Sequence, residues 1–154
     1  MLTLLVFFSS VAYSGEADRY SREQFSFTAY TTSGALSFYT LTECGELEID
    51  HVVSLKDAWE SGAKYWTAEQ KQAFANDRTN HVFACKSVNR SKGSATPMTF
   101  KKRSQDRKGR DYRIPNWCLY LDKYVAVKRQ YDLTVSEATT LAHSKCKTVP
   151  EKKG

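Results

Sequence analysis

Asp50 and His51 stand side by side in GELEIDHVVSL, residues 45–55, where alternating Leu47 and Ile49 and branched Val52 and Val53 read as a β-strand. An acid next to an imidazole can be a solvated turn, an ion pair at a strand end, or half of a metal-dependent hydrolytic site. Further along, Asn80 opens a second strand, NHVFAC, and the segment KSVNRSKG that follows reads as a helix ending at Gly93. Asn89 and Lys92 are three apart on that segment and so share a helix face. A divalent cation held by Asp50 and Asn89 would keep positions open for water and phosphate oxygens. His51 could then take a proton from the attacking water near neutral pH. Taken singly, Asn80 and Asn89 are ordinary turn and cap residues, and Asp50-His51 alone favours the ion pair.

The elements that must position these groups follow from the pattern around them. The segment after residue 20, rich in Ser, Thr and aromatics, reads as short extended pieces joined by a turn at Ser33-Gly34. SLKDAWESGA places Leu55, Ala58 and Trp59 at helical spacing and stops at Gly62. TAEQKQAFAND opens with Thr67 three residues before Gln70, a capping-box pattern, with Ala68, Ala73 and Phe74 facing inward. A polar loop is expected over Lys101–Arg113, with seven basic and two acidic residues. The C-terminal part reads as a helical hairpin, with Trp117, Leu121, Tyr124 and Tyr131 on one face of its first helix. Thr134 with Glu137 would cap the second. Trp59, Trp66 and Trp117 are read as core, and His81 and His143 as packing or surface residues.

With 154 residues, the chain is expected to form one domain. Its 41% hydrophobic and 26% charged residues are those of a globular protein rather than a disordered one. The net charge of +6 suits a polyanionic partner. Residues 1–14, apolar from Leu2 to Phe8 and then small and polar, read as a secretory signal with cleavage after Ser14. No other stretch approaches the ~20 apolar residues of a membrane span. The mature chain, 15–154, is therefore expected to be secreted or periplasmic, without a membrane partner.

Four cysteines behind such a leader favour two disulfides, and the absence of any CxxC pair weakens a zinc reading. Cys118 lies 14 residues before Asp132 and Cys146 lies 14 after it, so a hairpin turning there pairs Cys118 with Cys146. By elimination Cys44 pairs with Cys85.

IDHVV followed by NHVFACKSVNRSKG resembles the ββα-metal core of the HNH, or His-Me finger, endonucleases. Their second element typically begins with Asn and has Cys, Asn and Lys five, nine and twelve residues later, the offsets of Asn80, Cys85, Asn89 and Lys92. EIDHVVSLKDAWESGAKYW, AFANDRTN and CLYLDKYVAVKRQYDLTVSEA are similar to the secreted branch with a DUF1524-type domain, a likeness running from about Tyr20 to Cys146. The resemblance implies an α+β fold: a ββα-metal core at about 44–93, added helices, and the disulfide-stabilised hairpin at about 116–146. It implies a divalent-metal-dependent endonuclease acting on nucleic acid, with DNA expected and low sequence specificity. His51 would be the general base and Asp50 and Asn89 the ligands of Mg2+, or of Mn2+ in its place. Asn80 would orient the His51 imidazole or brace the loop. Arg90 and Lys92 would contact phosphate, and the basic run Lys101, Lys102, Arg103, Arg107, Lys108 and Arg110 would follow the nucleic-acid backbone. Hydrolysis would leave a 5′ phosphate and a 3′ hydroxyl.

Two departures from the family pattern stand out. Many members hold zinc with paired CxxC motifs, whereas Val88 occupies the second cysteine position of the later pair and Leu47 follows Cys44. His81 replaces the common Leu, and Asn89 replaces the third core histidine. The rival readings are an antibacterial toxin paired with an immunity protein, and a basic nucleic-acid-binding protein on an inactive scaffold. A monomer is expected in each case.

Overall fold

The computed structural model describes residues 19–31, 34, 36–104 and 112–148. The expected leader, the turn residue Ser33, the basic residues Arg107, Lys108 and Arg110, and the end of the C-terminal tail lie outside these residues. The fold is mixed α and β: a two-stranded antiparallel sheet with six α-helices among the described residues.

β1 spans Leu47–His51 and β2 spans His81–Cys85, in a register that sets Leu47 opposite Cys85 at one end and His51 opposite His81 at the other. β1 stops at His51 rather than running through Val53. Val52 and Val53 instead enter the core on the way to Ser54, whose hydroxyl accepts from Asp57 N at 3.1 Å and caps α1, Leu55–Glu60. α2, Ala68–Asn76, starts with the full capping box of Thr67 and Gln70. It buries Phe74 and Ala75, whereas Ala68 and Ala73, expected inside, are exposed. A 3-10 turn, Arg78–Asn80, then feeds β2, so Asn80 sits in the turn before the strand rather than in it.

α3, Lys86–Lys92, follows β2 without a loop and ends at Gly93, whose φ of 51° favours a residue without a side chain. The order strand, strand, helix expected for residues 44–93 is thus present. α4, Pro97–Arg103, replaces the first part of the expected polar loop; Thr96 caps it and Pro97 occupies its first turn. Upstream, among the described residues, the expected extended pieces reduce to a 3-10 turn at Arg22–Phe25 and an isolated bridge between Leu36 and Glu43.

The hairpin is α5, Trp117–Gln130, and α6, Glu137–Lys147, with Asp132 at φ 51° in the turn. The cap of α6 is Ser136, which accepts from Thr139 N, not Thr134. Both disulfides pair as expected, Cys118 with Cys146 and Cys44 with Cys85.

α5 supplies the floor of the core. Tyr120, Leu121, Tyr124, Val125 and Val127 are buried along it, and Trp117 and Tyr131 are only partly so. Tyr120 meets Tyr39 edge-on at 4.9 Å between ring centres. A buried ion pair ties α5 to α1: Lys128 Nζ lies 2.9 Å from Asp57 Oδ1, and Tyr124 donates to Asp57 Oδ2 at 2.7 Å. No helix among the described residues is long and apolar enough to cross a membrane.

Candidate active site

Successive residues of a strand face opposite ways, so Asp50 and His51 serve two different faces of the ladder. Glu48 and Asp50 turn toward α3; His51 turns away from it, toward α2 and the N-terminal segment.

On the α3 face, Lys92 is fully buried, with its ammonium 2.9 Å from Asp50 Oδ2 and 3.1 Å from Oδ1. It also donates to the carbonyl oxygen of His51 at 2.9 Å. Tyr39 donates to Asp50 Oδ2 at 2.5 Å. Burial, followed by the Asp50 charge, holds the Tyr39 hydroxyl well above the ordinary tyrosine range, so it acts as a donor. One turn back on α3, Asn89 Nδ2 donates to Glu48 Oε2 at 2.9 Å. That bond orients the amide so that Oδ1 is turned away from Glu48.

On the opposite face, His51 Nε2 lies 2.7 Å from the carbonyl oxygen of Ala75, and His81 Nε2 lies 3.0 Å from the same oxygen. A carbonyl only accepts, so each Nε2 carries its hydrogen, and the two lone pairs of one oxygen serve both rings. This leaves Nδ1 of His51 as the lone-pair nitrogen. His81 Nδ1 accepts from Tyr30 Oη, 3.1 Å away. The two imidazoles meet edge-on at 4.7 Å, and Phe27 packs edge-on against both, at 4.7 and 5.5 Å. Burial drives the His51 pKa from 6.5 down to about 3; the bond to Ala75 opposes the shift, while charge at His81, Arg22 and Lys92 adds to it. The His81 pKa is lowered too, again chiefly by burial.

Asn80 is fully buried and braces the exit of β1. Its Oδ1 accepts from Val53 N at 2.8 Å, its Nδ2 donates to Val53 O at 3.0 Å, and its own carbonyl accepts from Val52 N at 2.8 Å. Of the two roles considered for Asn80, the structure shows bracing of the loop, with no bond to the His51 ring.

The basic residues separate into different places. Lys92 is committed to Asp50 and His51, so the expected phosphate contact is not offered in this arrangement. Arg103 caps α3, bonding Ser91 O at 2.5 Å and Lys92 O at 3.2 Å. Lys101 lies over the Trp117 ring at 4.5 Å and lines an open groove of 1290 Å³ beside the Cys44–Cys85 bridge. Arg90 and Lys102 are exposed. His143 bonds Asp122 across the hairpin at 2.7 Å, away from the site.

Among the described residues no three His, Cys, Asp or Glu side chains gather to hold a metal ion. The oxygens of Asp50 and Asn89, with Glu48 beside them on the same face, have the chemistry of a hard divalent cation site. The Lys92 ammonium, however, now occupies the Asp50 carboxylate, so a cation there takes over a place already held by a positive charge. Glu48, Tyr39 and the Ala75 carbonyl are not among the residues the sequence singles out, and His81, expected as a packing or surface residue, is buried beside His51. The alternation that pairs Glu48 with Asp50 on one face was available there; the Ala75 carbonyl and Tyr39 carried no such signal.

The family of GmrSD restriction endonuclease C-terminal domains matches residues 9–142, and the chain belongs to that family. A protein of Arthroderma benhamiae described as an uncharacterized secreted protein is 39% identical over 101 residues. That match covers 64% of this chain and 45% of the relative, so the chain spans less than half of the relative's length. No solved structure matches.

Proposed function

We propose that this chain is an endonuclease domain that works outside the cytoplasm, hydrolysing phosphodiester bonds of nucleic acid, with DNA as its substrate and His51 as general base. The observation that carries the reading is the bond from His51 Nε2 to Ala75 O, which fixes the ring and leaves Nδ1 to accept a proton from water. The burial that lowers the His51 pKa keeps the imidazole neutral throughout the neutral range, and it also weakens the ring as a proton acceptor, so the base acts only where a bound substrate or cation raises its basicity or acidifies the water. Membership in a family described by restriction endonucleases supports phosphodiester chemistry. The secreted relative and two disulfides support an oxidising compartment.

Asp50 and Asn89 would hold a hard divalent cation, Mg2+ before Mn2+, since all their available donors are oxygens. Such an ion would supply positive charge to the phosphate and to the leaving oxygen from the α3 face, so the phosphate would have to lie at the end of β1, where both faces can be reached. Asn89 is held in orientation by Glu48, and His51 is held from both ends: its ring by Ala75 and its carbonyl by Lys92. Low sequence specificity follows from the absence, among the described residues, of an appended base-reading module.

The second reading is a nucleic-acid binder on an inactive scaffold, favoured by the engagement of Asp50 with Lys92 and the burial of His51. Supercoiled plasmid incubated with Mg2+, with Mn2+ and with chelator separates the two readings. Nicking that requires metal and falls at least ~100-fold in His51→Ala supports the nuclease. Intact plasmid that nevertheless shifts in a gel supports the binder.

A further inference from the structure

We propose that the nucleic-acid backbone is gripped at the His51 end of the ladder by Arg78, with Arg22 and Lys123 contributing from neighbouring elements, and not by the Lys101–Arg103 segment. The inference rests on the nuclease reading for where the reacting phosphate must lie, and names the surface that reading leaves open. The ladder has two ends. His51 and His81 form one, while Leu47 and Cys85 form the other, four residue steps or roughly 13 Å away. The groove that holds Lys101 lies at the Cys85 end. A backbone phosphate on the His51 side of the strand, across from the proposed cation, therefore needs a counter-charge other than Lys101.

Arg78 is placed to supply it. The residue opens the 3-10 turn that ends at Asn80, whose bonds to Val53 fix that turn to the exit of β1. Its guanidinium lies 4.6 Å from the centre of the Tyr30 ring, and Tyr30 in turn bonds His81, which meets His51. The side chain is thus steadied by a rigid stack that leads to the candidate base. Stacking on an aromatic face leaves the guanidinium edge free to donate to phosphate oxygens.

Arg22 and Arg78 are exposed and Lys123 is half-buried, and no carboxylate among the described residues pairs with any of the three. Of the acids nearby, Asp122 pairs with His143 and Lys147, whereas Asp77, bonded to Thr79 N, Gln130 and Tyr131, and Glu23, bonded to Ser21, have only neutral partners and keep their charge. At His81 the charges of Arg78 and Lys123 lower the pKa, while that of Asp77 raises it. On the α3 side, Lys92 is spent on Asp50 and Arg103 is held by the Ser91 and Lys92 carbonyls, while Arg90 and Lys102 stay exposed.

The test measures binding on a His51→Ala background, so that cleavage cannot intrude, with a fluorescein-labelled DNA duplex followed by anisotropy over a range of salt. Arg78→Glu with Lys123→Glu is expected to weaken binding at least tenfold and to flatten the salt dependence. Arg78→Gln alone, the milder change, weakens it about threefold. Lys101→Glu with Lys102→Glu changes it less than twofold. Equal losses from the two charge-reversed pairs, or a larger loss from the lysine pair, overturn the assignment, as does absence of DNA binding by the His51→Ala parent. Binding with the expected pattern by a protein whose wild type cuts no plasmid keeps the surface and removes the nuclease reading.

Discussion

The Lys92 ammonium lies 2.9 Å from Asp50 Oδ2, with Lys92 fully buried, so the acid of the DH pair is neutralised from inside the protein. Removing one partner of a buried pair leaves the other uncompensated, at a cost of about 3–5 kcal/mol. Lys92→Met is therefore expected to lower stability by that order in chelator. If Asp50 also serves a divalent cation, Ca2+ should then raise the melting temperature of the variant well beyond its effect on wild type. Equal responses to Ca2+ would mean that the cation does not use Asp50. This readout needs no activity, so it tests the metal site independently of the chemistry.

The pKa of His51 gives a stability prediction with a definite sign. In the native state it lies at about 3, against 6.5 for the free group. As pH falls through 6.5 the unfolded chain takes up a proton that the native state refuses until about 3, so stability drops across that window. At pH 5 the loss amounts to about 2 kcal/mol. The lowered pKa of His81 acts in the same direction. Urea unfolding at pH 7 and pH 5 should show the decline, and His51→Gln, which retains a donor for Ala75 O, should reduce it. An unchanged slope in the variant would contradict the burial assigned to the ring.

Some of this arrangement was legible in the sequence because it rests on local spacing. The capping box of Thr67 and Gln70, the break at Gly93 and the equal distances of Cys118 and Cys146 from Asp132 are all short-range relations, and each reappears in the fold. Alanines misled the reading of α2, since Ala68, Ala73 and Ala75 look alike to a periodicity argument and only Ala75 is buried. α4 was hidden because its last turn is three basic residues, although Thr96-Pro97 marks its start. Lys92 shares a face with Asn89 as expected, but its burial depends on Asp50, 42 residues away, and on Tyr39 behind it. Contacts of that range have no signature in a single sequence.

The two hairpin helices should separate in stability once their bridge is removed. Cys118–Cys146 closes 28 residues, for which chain entropy gives about 3–4 kcal/mol. α5 carries Tyr120, Tyr124 and Lys128 into the core, whereas α6 buries only Thr139 among its described residues. In Cys118→Ser with Cys146→Ser, amide exchange should accelerate across residues 137–147 and change little in α5. Uniform acceleration along both helices would show that the bridge supports the whole core rather than α6.

Asn80 offers the sharpest separation of bracing from catalysis. Its side chain satisfies both the N–H and the C=O of Val53 in a fully buried position, a pairing that only an amide can make. Asn80→Ala leaves two buried backbone groups without partners, at about 1–3 kcal/mol each. Asn80→Asp should be worse, because a carboxylate has nothing to donate to Val53 O and brings a charge into the core. Both variants should unfold at lower urea than wild type, in that order. Cleavage per folded molecule should fall further than stability alone requires, since the same bonds set where β1 ends and hence where His51 lies. A variant that loses stability yet cuts at the wild-type rate would confine Asn80 to holding the loop.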